Sequence, residues 1–242
     1  SAGERQEAGI LIPHEAFRWQ HGNIRKILSA YDPLAPGQAW RTNMLFDFLA
    51  NFYVKAIHTH HHAEEEYYSP GIEKYGAKMP SKIKSDHETL MRDILRIEVF
   101  REEILKATSS QPVLAFKRHV GKLMHDLEDH FAEEEVDYPK ALRETGMTQD
   151  QDNELHQQII QSESMDSLSS FLPIIVYAMY IWKGKEGTEA FVGTLPLPIR
   201  LLLNKCWVNK FYVGNLKVVE ALCSESNEMP IPEAPSCKCS VM

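Results

Sequence analysis

The chain has 242 residues, of which 43% are hydrophobic and 25% charged, enough to bury a sizeable core and too apolar for disorder along its whole length. Its 26 lysines and arginines face 34 aspartates and glutamates, and the net charge of -8 argues against nucleic acid as a partner, because phosphate backbones demand excess positive charge. Cys206, Cys223, Cys237 and Cys239 all lie in the last quarter without C-x-x-C spacing, which argues against a thiolate zinc site.

Helical spacing dominates the first 145 residues. A first helix is predicted after Pro13, with Phe17, His21, Ile24 and Leu28 on its apolar face. Asp32-Pro33 and Pro36-Gly37 then break the chain. A second helix is predicted from Trp40 to just before Pro70, with Ala50, Val54, Ile57, His61 and Glu65 on one face. A third begins near Ser81 and aligns Ile83, His87, Leu90, Ile94 and Ile97. A fourth follows Pro112, aligns Phe116, Val120, Leu123, Leu127, His130 and Glu134, and ends before Pro139. Four amphipathic helices with short connections make the expected fold all-α, an up-down-up-down four-helix bundle over residues 10–145.

Residues 146–223 read as a helical extension packed on the bundle. A polar helix is predicted at 149–164 and a buried one at 171–182, the latter too short for a bilayer, which needs roughly 20 residues. Gly184, Gly187, Gly193, Pro196 and Pro198 mark a loop-rich passage before a last helix at 199–222. Residues 224–242, rich in Pro and Ser, are expected to be a disordered tail.

Each of the four bundle faces carries a histidine among apolar residues. One such histidine is ordinarily a hydrogen-bonded core residue; four together point to a shared purpose. The run His61-His62-Ala63-Glu64-Glu65-Glu66, ending at Pro70, echoes His130-Phe131-Ala132-Glu133-Glu134-Glu135, ending at Pro139. A histidine and a glutamate four residues apart share a helix face, so both can reach one metal centre, and a carboxylate can bridge two ions. Counting from the helix ends places His21, His61, His87 and His130 at one depth. The candidate metal ligands are therefore His21, His61, Glu65, His87, His130 and Glu134, with His58 and Glu64 as further ligands or outer partners. His14 is placed too shallow, nearly two turns from His21; His60, His119 and His156 have no supporting pattern; His62 and His125 are expected at the periphery. A donor set of imidazole and carboxylate favours iron, with manganese as the alternative. Burying so many ionisable groups without a metal would be costly.

These residues resemble the hemerythrin-like family, the HHE cation-binding domain. The resemblance rests on His21-Gly-Asn-Ile-Arg25, His61-x-x-x-Glu65, Asp86-His87-Glu88 and His130-x-x-x-Glu134, and covers about residues 10 to 145. It implies a four-helix bundle holding two iron ions, bridged by oxo or hydroxo groups and carboxylates. It also implies handling of dioxygen, nitric oxide or peroxide. Oxygen carriers of the family have a second histidine one turn along the third helix. Met91 stands there, leaving water, Glu64 or His58 to complete the metal's shell and placing reversible oxygen carriage in doubt. The segment around Pro198-Ile-Arg200 looks like an extension found in some eukaryotic members. Ferritin-like bundles use Glu-x-x-His, which does not occur in the chain.

Cys239-Ser240-Val241-Met242 fits the C-a-a-X pattern, with farnesyl the expected group and Cys237 a candidate for palmitoylation. The expected location is cytoplasmic, on the cytosolic face of a membrane when lipidated. The alternative function is an iron- or oxygen-responsive sensor or adaptor tethered by that lipid, without turnover.

Overall fold

The computed structural model describes residues 2–224, with side chains from Gly9 onward. Seven helices and no strand are found among the described residues. Helix α1 spans Ala2–Ala30. Helix α2 runs without interruption through Trp40–Phe48, Leu49–Val54, Lys55–Ala63, Glu64–Tyr68 and Ser69–Glu73. Its second and fourth segments are π-helical, a widened geometry that recurs at functional sites. Helices α3 (Ser81–Leu105) and α4 (Gln111–Thr145) complete the bundle. Helices α5 (Gln149–Ser162) and α6 (Met165–Thr194) follow, and α7 comprises Leu197–Leu202, Leu203–Trp207, Val208–Phe211, Tyr212–Leu216 and Lys217–Cys223.

Several helices pass through residues expected to stop them. Helix α1 begins well before Pro13, and Ile10 on its added turns is buried with Tyr68, Ile83 and Tyr138. Helix α2 continues through Pro70 after a π turn, whose wider radius relieves the clash a proline ring makes with the preceding turn. Helix α4 carries Pro139 buried in its interior and ends at Gly146, whose φ of 65° is the left-handed cap that glycine tolerates. Packing of Tyr138, Ala141 and Leu142 offsets the hydrogen bond lost at Pro139.

In the bundle, α4 lies against α1 and α3, and α3 against α2. Helix α6 lies against both α1 and α2, filling the groove between them; α5 meets α1 and the Glu64–Tyr68 turn, and α7 meets α1, α2 and α6. The main core is continuous across bundle and extension: Phe17, Ile24, Leu49, Ile94, Phe116 and Leu127 share it with Phe171, Leu172, Ile174, Leu203 and Phe211. Arg41 of α2 donates hydrogen bonds to the carbonyls of Leu222 and Ser224, tying the end of α7 to the bundle. The smaller cluster around Ile10, Tyr68, Ile72, Ile83 and Tyr138 caps one end.

The expected glycine-rich loop after residue 182 is helical on both sides of Gly184, the one position whose φ, 68°, breaks the run. Helix α6 is long and apolar enough by composition to cross a membrane. Its apolar residues Leu168, Phe171, Leu172, Ile174, Ile175 and Ala178 are buried in the shared core, whereas Tyr180, Ile181 and Trp182 are exposed. The tail at 225–242, with Cys237 and Cys239, lies outside the described residues.

The seam between bundle and extension is tight at Gly214, where a Cβ would come within 2.6 Å of the Phe52 ring. Gly214→Ala is expected to destabilise the protein by roughly 1–3 kcal/mol, the usual cost of overpacking, read as a lower urea midpoint. An unchanged midpoint would mean that α7 is not held against α2.

Candidate metal centre

Four helices send ionisable side chains into one layer between the main core and the apolar cap. Helix α1 contributes His14, α2 contributes His60, His61 and Glu64, α3 contributes His87, and α4 contributes His130 and Glu134; none is more than 4% exposed. Their donor atoms form two adjacent groups. Those of His61, His87 and His130 lie within 4.8 Å of one another, as do those of His14, His60, Glu64 and Glu134.

The carboxylates join the groups. Oε1 of Glu134 stands 3.2 Å from His87 Nε2 and 3.1 Å from His130 Nε2, while its Oε2 stands 3.3 Å from His14 Nε2. Oε1 of Glu64 stands 3.5 Å from His60 Nε2, and its Oε2 3.6 Å from His87 Nε2. Each glutamate thus turns one oxygen to each group.

Helix geometry explains the arrangement. Successive residues rotate by about 100°. Measured from His60, His61 lies at about 100° and Glu64 at about 40°, between the two rings. Glu65 falls at about 140°, past His61 and outside the layer. Adjacent histidines therefore serve different groups, and the glutamate between their bearings serves both.

Outer partners hold the rings. His14 Nδ1 donates to Glu135 Oε1 at 3.0 Å, and Arg18 holds Glu135 at 2.7 Å. His87 Nδ1 donates to Glu65 Oε1 at 2.9 Å. A proton on Nδ1 leaves Nε2 turned inward, the tautomer a metal ligand needs. His130 Nδ1 stands 3.8 Å from Asp86, beyond hydrogen-bond reach, and Asp86 is bound with Glu133 by Lys82.

Many buried atoms of the layer lack a hydrogen-bond partner: His14 Nε2, His60 Nε2, both ring nitrogens of His61 and of His130, both oxygens of Glu64, and Glu134 Oε2. Orphaned buried polar groups of this kind are rare and costly. Cations bound between them would satisfy them, so the residues present fit a metal centre. Burial, reinforced by neighbouring imidazoles, pushes His60 and His61 well below the usual histidine range, so they stay neutral as ligands must. Burial, reinforced by Glu134, pushes the Glu64 carboxyl well up. Burial would also raise Glu134, but the facing rings of His130, His14 and His87 prevail and hold it well below the usual range. Two buried carboxylates side by side favour a cation between them.

The structure brings His61, His87, His130 and Glu134 of the six expected ligands into this layer, together with the further candidate Glu64. It does not bring His21 there. His21 Nε2 accepts from the Tyr53 hydroxyl at 2.8 Å, and Nδ1 donates to Glu128 at 2.8 Å, which Arg25 also holds. Glu65 is half-buried behind His87 rather than beside its inward nitrogen. His58 is exposed and stacks on His62, away from the layer. His14 and His60 take the inward positions instead. His14 is at the right depth because α1 starts before Pro13, which made a helix-end count misleading. His60 could have been found from the bearings of His60, His61 and Glu64 taken together. His125 is exposed, and His119 bonds the carbonyl of Asp93 at 2.7 Å. Met91 is half-buried against the core, and Glu64 approaches His87 from α2.

A helical bundle crossed by one layer of converging imidazoles and carboxylates is a metal-binding bundle. The profile of the hemerythrin HHE cation binding domain matches residues 13–141, more than half of the chain, and the chain belongs to that family. No curated protein and no solved structure matches it.

Burial lowers the pKa of His21 to about 4, against 6.5 when free, with the Glu128 carboxylate only partly opposing the shift. The folded protein therefore keeps this ring neutral where the unfolded chain protonates it. Its contribution is fully present above pH 6.5 and is lost as pH falls towards 4, on the order of 3 kcal/mol in all. An imidazole NMR titration should show the His21 ring neutral down to about pH 4. A midpoint near 6.5 would contradict the burial described.

Proposed function

We propose that the bundle holds two iron ions and presents them to a small ligand: dioxygen, nitric oxide or peroxide. The observation that carries this reading is the division of each carboxylate, Glu64 and Glu134, between two histidine groups. His61, His87 and His130 would hold one ion, His14 and His60 the other, with Glu64 and Glu134 spanning both. Nitrogen and oxygen donors without sulfur suit iron, with manganese as the alternative ion. When bound, the ions supply electrons and an open coordination position to the small ligand.

The chain's own residues set the conditions for that chemistry. Glu135 and Glu65 fix the rings of His14 and His87 from behind. The apolar cap of Ile10, Ile72, Ile83 and Tyr138 keeps water from that end of the layer. A dry surround strengthens every charge interaction within it.

Plasma mass spectrometry of the purified full chain tests the reading, with about two irons per chain expected on the two-group geometry. Glu64→Ala and Glu134→Ala should each lower the content to one iron or none. Glu65→Ala should still fill at saturating iron, with affinity weakened about 10–100-fold, as for other partners that orient a ligand. His21→Ala should leave iron content unchanged. Failure of the wild-type chain to take up iron under anaerobic ferrous reconstitution would overturn the proposal, as would loss of iron in Glu65→Ala with retention in Glu64→Ala.

A further inference from the structure

A cavity of about 170 Å³ lies where α1, α2, α5 and α6 meet. Most of its wall is aliphatic or aromatic, including Ile12 of α1, Ile159 and Ile160 of α5, and Leu172, Ile175 and Phe191 of α6. A polar stripe of α2, His60, Glu64 and Tyr68, spaced four residues apart and so stacked on one helix face, forms one wall; Thr59, His156 and Glu163 also line the cavity, His156 bonded to the Asp152 carbonyl and Glu163 to His62. Both oxygens of Glu64 and the buried hydroxyl of Tyr68 lack hydrogen-bond partners. The extension therefore builds two sides of a chamber, α1 a third, and the edge of the metal layer on α2 the fourth.

We propose that this chamber binds a small apolar organic molecule with one oxygen-bearing end, an alcohol, aldehyde or phenol of about six to eight carbons. Its position beside a metal ion rests on the two-iron reading; its binding does not. Well-packed proteins fill gaps of this size where they can. An apolar cavity of about 150 Å³ stays dry and accepts a molecule the size of benzene, which sets the size of the occupant. The aliphatic walls offer nothing to an ion or a sugar. The Tyr68 hydroxyl can donate to the oxygen end, which orients the apolar body towards Leu172 and Ile175. The bound molecule then presents its oxygen end to the wall that carries His60 and Glu64.

The test is calorimetric titration of the full chain, with and without iron, using straight-chain alcohols from butanol to decanol. Affinity should rise about fourfold per methylene and stop rising near eight carbons, where the chain outgrows the chamber. Leu172→Trp and Ile159→Trp, which fill the space from two different helices, should each weaken heptanol binding at least tenfold and leave iron content unchanged. Tyr68→Phe should weaken heptanol but not benzene. No saturable binding by the wild-type chain, affinity that rises without a length limit, or heptanol binding unaffected by all three substitutions would overturn the proposal. Should the tryptophan variants not fold, the length limit and Tyr68→Phe decide. In the iron-loaded chain, heptanol should shift the visible spectrum; saturable binding with an unmoved spectrum would remove the molecule from the metal's side. Heptanol binding in a chain that takes up no iron supports the chamber and sinks the two-iron reading, and iron loading without heptanol binding does the reverse.

Discussion

Placing histidines and glutamates in a dry interior is the constraint around which this bundle is arranged. An uncompensated imidazole or carboxylate is expensive to bury, and seven of them share one layer here. The cost is tolerable only if their lone pairs converge, and convergence requires a helix on every side. All four bundle helices contribute, and the layer is sealed by the main core on one side and by the Tyr68 and Tyr138 cluster on the other. The acids behind the rings, Glu135 and Glu65, are partly accessible to water, so ring orientation is maintained without adding fully buried charge.

Rotational phase on α2 divides this layer into two donor groups. Were His60 replaced by an apolar residue, α2 would supply a single histidine, and one group would be short of nitrogen. Adjacent histidines diverge by about a quarter turn, and a glutamate four residues after the first falls between them. On α4 the same offset joins His130 to Glu134, but Phe131 follows His130, so that helix feeds one imidazole into the layer and stacks its next ring on His14.

The bundle could be read from the chain, and so could part of its buried layer. Apolar spacing located all four helices, and His61, His87, His130 and Glu134 stood on their buried faces. The differences have physical causes. Prolines at 13, 70 and 139 were read as helix ends, but packing against the cap holds the helices together across them. The displaced start of α1 moved the depth count by two turns, which exchanged His14 for His21. The echo between α2 and α4 aligned Glu65 with Glu134, whereas the three-dimensional partner of Glu134 is Glu64, one residue earlier. Sequence similarity fixed a register that the helix bearings contradict. The glycines after residue 182 suggested a loop, yet only Gly184 leaves the helical region. Periodicity along one segment cannot reveal the cavity, whose walls come from helices distant in sequence.

Helix α6 in the groove between α1 and α2 bears on where this protein can be cut. The family match ends at residue 141, yet Phe171, Leu172 and Ile174 share a core with Phe17. A chain stopped after α4 would expose that apolar groove to water and open the wall that carries His60. The inherited module and the smallest stable unit therefore have different boundaries. Grafting the matched segment alone onto another protein would transplant a site without the wall that keeps it dry.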